Sequence, residues 1–236
     1  MGHVGCAKSI MTAPDFDVSH STIYQRIRDD IVSGRLAPLA RLKIGELAAT
    51  YGTSTNPVRE ALQVLRGEGL VTIEPNRGAR VVRIDEDFVR DICEIEMLIE
   101  PSLTRWFCTI ASDPDIAELE RIQDQIEGLN FGDPEKHGQL DTQFHMVIYG
   151  RHYNRHAADL WWRHREILRS IARKFPTSLS RRQTVVREHR ELIEAIRKQD
   201  AEKAAAIVAQ HVEGSGRHII EQMRLARLKA PGSASA

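Results

Sequence analysis

A single change of hydrophobic period near residue 70 constrains this chain more than any other feature of its sequence. Upstream of it, apolar residues recur at helical spacing. Ile23, Ile27, Ile31 and Val32 form a stripe that stops at Gly34, and Ile44, Leu47, Ala48 and Tyr51 form a second that stops at Gly52. Ser54 is placed to cap a third helix, and Pro57 falls in its first turn, where a missing N–H is tolerated. Val58, Ala61, Leu62 and Leu65 make that helix's inner face, and Gly67 and Gly69 close it. The spacing then becomes that of strands: Leu70–Ile73 and Ala79–Ile84 are rich in β-branched residues and flank Glu74-Pro75-Asn76-Arg77-Gly78. Two helices across a tight glycine turn, followed by a hairpin, predict a helix-turn-helix with a wing.

No strand signal returns after Asp85. Ile92, Ile95, Ile99, Leu103 and Phe107 predict a long helix that starts at the acidic run Asp85-Glu86-Asp87, with Pro101 either kinking it or absorbed by a local distortion. Asp113-Pro114 and Asp133-Pro134 each read as an N-cap followed by proline at the first helical position. Further helices are predicted over 155–174, 180–198 and 201–228. The expected fold is therefore mainly α: an N-terminal winged helix-turn-helix at 21–84, then an all-α antiparallel helical bundle at 85–228, with loose tails at 1–20 and 229–236.

With 236 residues the chain can bury two modest cores. No apolar run approaches the roughly 20 residues of a membrane span, which predicts no membrane role. Cys6, Cys93 and Cys108 have no CxxC spacing, so neither a disulfide framework nor a thiolate zinc site is expected, and a reducing, cytoplasmic setting fits. The net charge is zero, yet residues 1–84 hold 11 Lys/Arg against 8 Asp/Glu, and the remainder 22 against 25. The small basic excess lies with the helix-turn-helix.

The run Ser54-Thr55-Asn56-Pro57-Val58-Arg59-Glu60-Ala61-Leu62, with Leu65, Glu68-Gly69-Leu70-Val71, Gly34-Arg35-Leu36-Ala37-Pro38 and Pro75-Asn76-Arg77-Gly78-Ala79, resembles the DNA-binding domain of GntR regulators. The resemblance implies a transcription regulator on double-stranded operator DNA. The first residues of a recognition helix reach base edges, so Ser54, Thr55, Asn56 and Arg59 are the candidates there, Arg59 first. Arg77 and Gly78 sit at the wing tip, and Arg26 and Lys43 are candidate phosphate contacts. The family pattern has an arginine where this chain has Thr55, so the operator it prefers should differ.

The C-terminal part resembles the FCD domain of the FadR-like branch, through Asp141-Thr142-Gln143-Phe144-His145, Arg187-Glu188-His189, Asp200 to Ala204, and His211. In metal-binding members such motifs hold a divalent cation, which here assigns Asp141, His145, His189 and His211. The spacing agrees independently. Asp141 and His145 are four apart on one helix face, and His189 and His211 lie eleven residues either side of Asp200, so a helical hairpin about Asp200 sets their imidazoles level. A set of three nitrogens and one oxygen suits Zn²⁺ first, with Ni²⁺ or Mn²⁺ as alternatives, and leaves room for an oxygen of a small-molecule effector, an organic acid being one candidate. Family members commonly carry an arginine in the first helix of this domain where this chain has Glu96, a candidate effector contact that would repel a carboxylate. The expectation is a metal that anchors its ligand without arginine.

His3, His20 and His218 read as ordinary surface or core residues, and Trp161 and Trp162 as packing. His137, His152, His156 and His164 could line a cavity, but their spacing does not single them out. A metal-dependent hydrolase is the competing reading, weakened by the lack of HExxH, GxSxG or a phosphate-cradling glycine loop. The metal could also be the signal itself, or a structural staple. A homodimer on a pseudo-palindromic operator is expected, because one recognition helix reads only a few base pairs.

Overall fold

The computed structural model describes residues 18–74, 78–175 and 177–229. Helix α1 (Val18–Ser33) buries Ile23, Ile27 and Ile31 and begins inside the stretch expected to be a tail. The rest of that tail, residues 1–17, lies outside the described residues, as does 230–236 of the second. Strand β1 (Arg41–Leu42) precedes α2 (Ile44–Tyr51), which ends where Gly52 takes a left-handed φ of 65° and donates its N–H back to Ala48 and Ala49. Helix α3 (Thr55–Gly67) carries the predicted inner face, with Val58, Ala61, Leu62 and Leu65 buried. Ser54 does stand at its N-cap with an extended backbone, but its hydroxyl makes no capping bond. The first turn of α3 therefore keeps both the hydroxyl and its spare N–H groups available at the exposed end.

The hairpin is β2 (Val71–Glu74) against β3 (Gly78–Val81), antiparallel with Ile73 opposite Ala79 and Glu74 opposite Gly78. The predicted second strand was too long at its far end. β2 starts at Val71, so beyond Val81 there is no ladder to join, and Val82 only donates one backbone bond to Leu70. Strand β1 escaped the sequence reading because two residues cannot display an alternation; it pairs with β3 and makes the sheet order β1-β3-β2.

The second half is helical among its described residues: α4 (Glu86–Ile110), α5 (Asp113–Gly128), α6 (Pro134–Tyr149), α7 (Arg155–Lys174), α8 (Leu179–Arg197) and α9 (Ala201–Lys229). Asp85 caps α4 by accepting from the Phe88 N–H, and the helix runs through Pro101 without a break. Asp133 caps α6 as expected. At α5 the cap is Ser112, one residue before the predicted Asp113; the Asp115 carboxylate takes both the Ser112 N–H and its hydroxyl, which fixes the start there. Asp200 caps α9 through the Lys203 N–H, and Gln199 at φ 54° turns the chain between α8 and α9.

Phe107, Leu119, Ile122, Phe144, Ile148, Tyr149 and Trp161 fill the bundle core. α4 packs along α9 at close range, where a Cβ on Gly216 would stand 2.5 Å from the Cys93 sulfur. The two halves meet through α1 and α7. Arg28, 4% exposed, pairs its guanidinium with Glu166 of α7 at 3.1 Å and touches the Tyr24 hydroxyl, which donates at 2.5 Å to Glu68, the residue that caps the C-terminus of α3. No helix of the described residues is long and apolar enough to cross a membrane.

Candidate effector site

Three helices bring four side chains together. Asp141 and His145 lie one turn apart on α6, His189 comes from α8, and His211 from α9, and one ligand-type atom of each falls within 4.8 Å of all the others. The imidazoles form a near-equilateral triangle, with ring centres 5.3 Å (His145–His189), 5.1 Å (His145–His211) and 5.2 Å (His189–His211) apart. All three are buried, and Phe144 stacks flat on His189 at 4.1 Å.

Their hydrogen bonds are incomplete in a specific way. His189 uses Nδ1 toward the Gln123 side-chain oxygen at 2.9 Å, and His211 uses Nδ1 toward the Glu188 carboxylate at 2.8 Å. Those partners take the ring proton, which leaves each Nε2 with its lone pair turned away from them, the arrangement that outer partners impose on metal-bound histidine. Nε2 of His189 and both ring nitrogens of His145 are buried without any hydrogen bond among the described residues. Burial, and then the neighbouring imidazoles, hold His145 and His189 well below the ordinary histidine value; burial also lowers His211, against the pull of Glu188. Neutral rings with unpaired nitrogens beside a carboxylate fit a divalent cation better than they fit one another. Asp141 divides its oxygens: Oδ2 pairs with Arg165, and Oδ1 lies 3.4 Å from His189 Nε2.

Arg165 overturns the expectation of a site without arginine. It comes from α7, not from the helix in which an arginine was looked for, and its Nε also approaches the Thr142 hydroxyl at 3.4 Å. Trp161, Arg165, Leu168, Arg169 and Ala172 share one face of α7 and all border the same cavity. That cavity, about 450 Å³, is bounded by α4, α6, α7, α8 and α9 and reaches Asp141 and His211. Glu96 borders it too, buried, with its carboxylate on His164 Nδ1. Beside it Glu100 accepts from the Tyr149 hydroxyl at 2.9 Å, and burial, with the charge of Glu96, lifts its carboxyl to about 8. His137 and His218 also border the cavity, whereas His152 packs on Trp106. Gln123 and Glu188 were missed as partners, although Glu188 sat inside a motif already singled out.

On the other half, Ser54, Thr55, Asn56 and Arg59 are exposed together at the start of α3. Gly78 is exposed with φ 78°, which favours glycine, and Arg41 of β1 lies beside it. Arg77 lies outside the described residues. Lys43 pairs with Glu46 at 2.7 Å, and Arg26 donates to the Tyr51 carbonyl and covers its ring. Both are exposed but already engaged by their own chain.

A winged helix-turn-helix joined to a helical bundle with an internal polar cavity defines the class of ligand-responsive DNA-binding regulators. Residues 19–81 match the family of bacterial regulatory proteins, gntR family, and residues 91–214 match the FCD domain; the chain belongs to the GntR family of transcriptional regulators, with an FCD effector-binding domain. It is 24% identical over 198 residues to the HTH-type transcriptional regulator YdhC of Bacillus subtilis, covering 83% of this chain and 88% of that one. It is 26% identical over 198 residues to the HTH-type transcriptional repressor RspR of Escherichia coli, covering 81% and 84%. Among solved structures, E. coli McbR/YncC shares the fold with a TM-score of 0.66 at 20% identity, over 90% of this chain and 99% of that one.

Proposed function

We propose that this regulator is a homodimeric repressor whose operator affinity is set by a small organic acid bound beside a divalent metal, with Asp141, His145, His189 and His211 as the protein ligands. The observation that carries the reading is the cluster of neutral, buried imidazoles whose unpaired nitrogens face one carboxylate oxygen. Zn²⁺ suits three nitrogens and one oxygen, with Ni²⁺ or Mn²⁺ as alternatives. When bound, the metal supplies a Lewis-acidic point that attracts an effector oxygen. Arg165 steadies Asp141, and Gln123 and Glu188 fix the His189 and His211 rings. The adjoining arginine-bordered cavity favours an organic effector over the metal alone as the signal.

The repressor reading follows RspR. Exposed Ile95 and Leu98 on α4 and Leu225 and Leu228 on α9 offer apolar surface for a second copy. Ser54, Thr55, Asn56 and Arg59 would read operator bases, and Arg77 and Gly78 the adjoining groove, which gives the N-terminal half a purpose that a hydrolase would leave unexplained.

Elemental analysis and melting curves test the metal. Wild type is expected to retain about one divalent ion per chain and to melt lower after chelation, as a ligand that binds only the native state requires. His145→Ala and His189→Ala should lose the ion and the chelator response. Equal metal in all three proteins, with no chelator effect on wild type, would overturn the assignment.

A further inference from the structure

We infer that the cavity contains a second anion subsite, formed by His137 of α6, Arg169 of α7 and Arg182 of α8, and that the effector is accordingly a small oxyacid with two anionic groups. Only the placement of the first group, at Asp141 and the histidines, rests on the function proposed above. The second stands on separate atoms. Nε2 of His137, Nε of Arg169 and Nε of Arg182 are each buried with no hydrogen-bond partner among the described residues, and all three side chains border the cavity. A buried donor that has left water and found no acceptor is costly, and a ligand oxyanion is the acceptor a guanidinium fork fits best.

The charges around the cavity are unequally matched. Arg165 has Asp141, Arg173 has both oxygens of Glu135, and Arg181 has Glu188. Among the described residues Arg169 has only Glu166, at 3.5 Å without a hydrogen bond, and Arg28 claims the other oxygen of that carboxylate. Arg182 donates to the Phe131 carbonyl and rests over its ring, and no carboxylate among the described residues pairs with it. Two guanidiniums that border the same cavity as His137 therefore share less than one carboxylate between them, and the Arg169 side chain passes beside Gly138, the residue next to His137. The acidic wall opposite does not cancel them. Glu96 is engaged by His164, and Glu100, raised to about 8, keeps its proton at neutral pH. In the same sense, His137 is held below its ordinary value by burial and then by Arg182 and Arg165. A cavity of about 450 Å³ admits a short-chain diacid or a phosphorylated acid.

The test uses the full chain in two states. In the chelator-stripped protein, inorganic phosphate at fixed ionic strength is expected to raise the melting temperature of wild type and not of Arg182→Gln or Arg169→Gln. In the Zn²⁺-loaded protein, succinate should bind about tenfold tighter than acetate, the worth of one charge-assisted pair, and Arg182→Gln should abolish that preference while leaving acetate unchanged. Arg182→Lys, which keeps the charge and loses the fork, should restore part of it and guards against a variant that merely misfolds. A phosphate response confined to wild type with no succinate preference would assign the second group as phosphate. No phosphate response in stripped wild type together with no succinate preference, or responses equal in wild type and both glutamine variants, would overturn the subsite. Because the phosphate arm contains no metal, failure of the metal assignment leaves it readable.

Discussion

Glu100 carries a pH dependence whose sign is fixed by its surroundings. Its ordinary value is 4.5 and burial beside Glu96 lifts it to about 8, so between those limits the native carboxyl holds a proton that the unfolded chain has released. This group's contribution to stability is thus fully present below about 4.5 and is lost as pH rises toward 8. Glu100→Gln removes the ionisation and keeps an acceptor for Tyr149; its melting temperature relative to wild type should rise between pH 5 and pH 8. A difference that stays constant across that range would show that the carboxyl is not raised. Arg59 is the residue-scale test of DNA reading. It is exposed on α3 one position beyond buried Val58, and Arg59→Ala should weaken operator binding by roughly 1 to 3 kcal/mol in a titration at fixed salt while leaving the melting curve unchanged. At this scale the sequence was partly legible. Asp141, His145, His189 and His211 were assigned as one set by the family resemblance, and helical spacing supports only the two pairs Asp141–His145 and His189–His211, whereas Arg165 could not be told from the other arginines of α7 until the cavity showed which face turned inward.

Helices and their ends were the most readable level, because apolar period and capping chemistry are local. α7 falls over the predicted 155–174, and Asp133 caps α6 as expected. What local patterns do not encode is pairing at a distance: β1 is fixed only by its neighbour β3, and the far end of β3 by where β2 begins. Close packing of α4 on α9 is of the same kind. Nothing in Gly214-Ser215-Gly216 announces that Cys93 lies against its backbone. Gly216→Ala should force Cys93 aside and destabilise the fold by roughly 1 to 3 kcal/mol, and Cys93→Ala in the same chain should recover most of that loss in chemical denaturation. Simple additivity of the two changes would mean that the contact is not the cause.

For the whole molecule, the consequential contact is the one between α1 and α7. One face of α7 borders the cavity through Trp161, Arg165 and Arg169, and its Glu166 holds Arg28, which leads through Tyr24 to Glu68 at the end of the recognition helix. Glu166→Gln is expected to bring the operator affinities of metal-loaded and chelated protein closer together, measured by anisotropy at fixed salt, without moving the metal content. Unchanged separation of the two affinities would remove α7 from the coupling. Thermodynamic linkage gives this contact a second meaning. A coupling free energy acts equally in both directions, so an operator that senses the effector through Arg28 and Glu166 must in turn alter the effector's affinity by the same factor. Molecules seated on promoters and molecules free in solution would then respond at different effector concentrations, and the surplus of free protein would set how sharply the promoters switch.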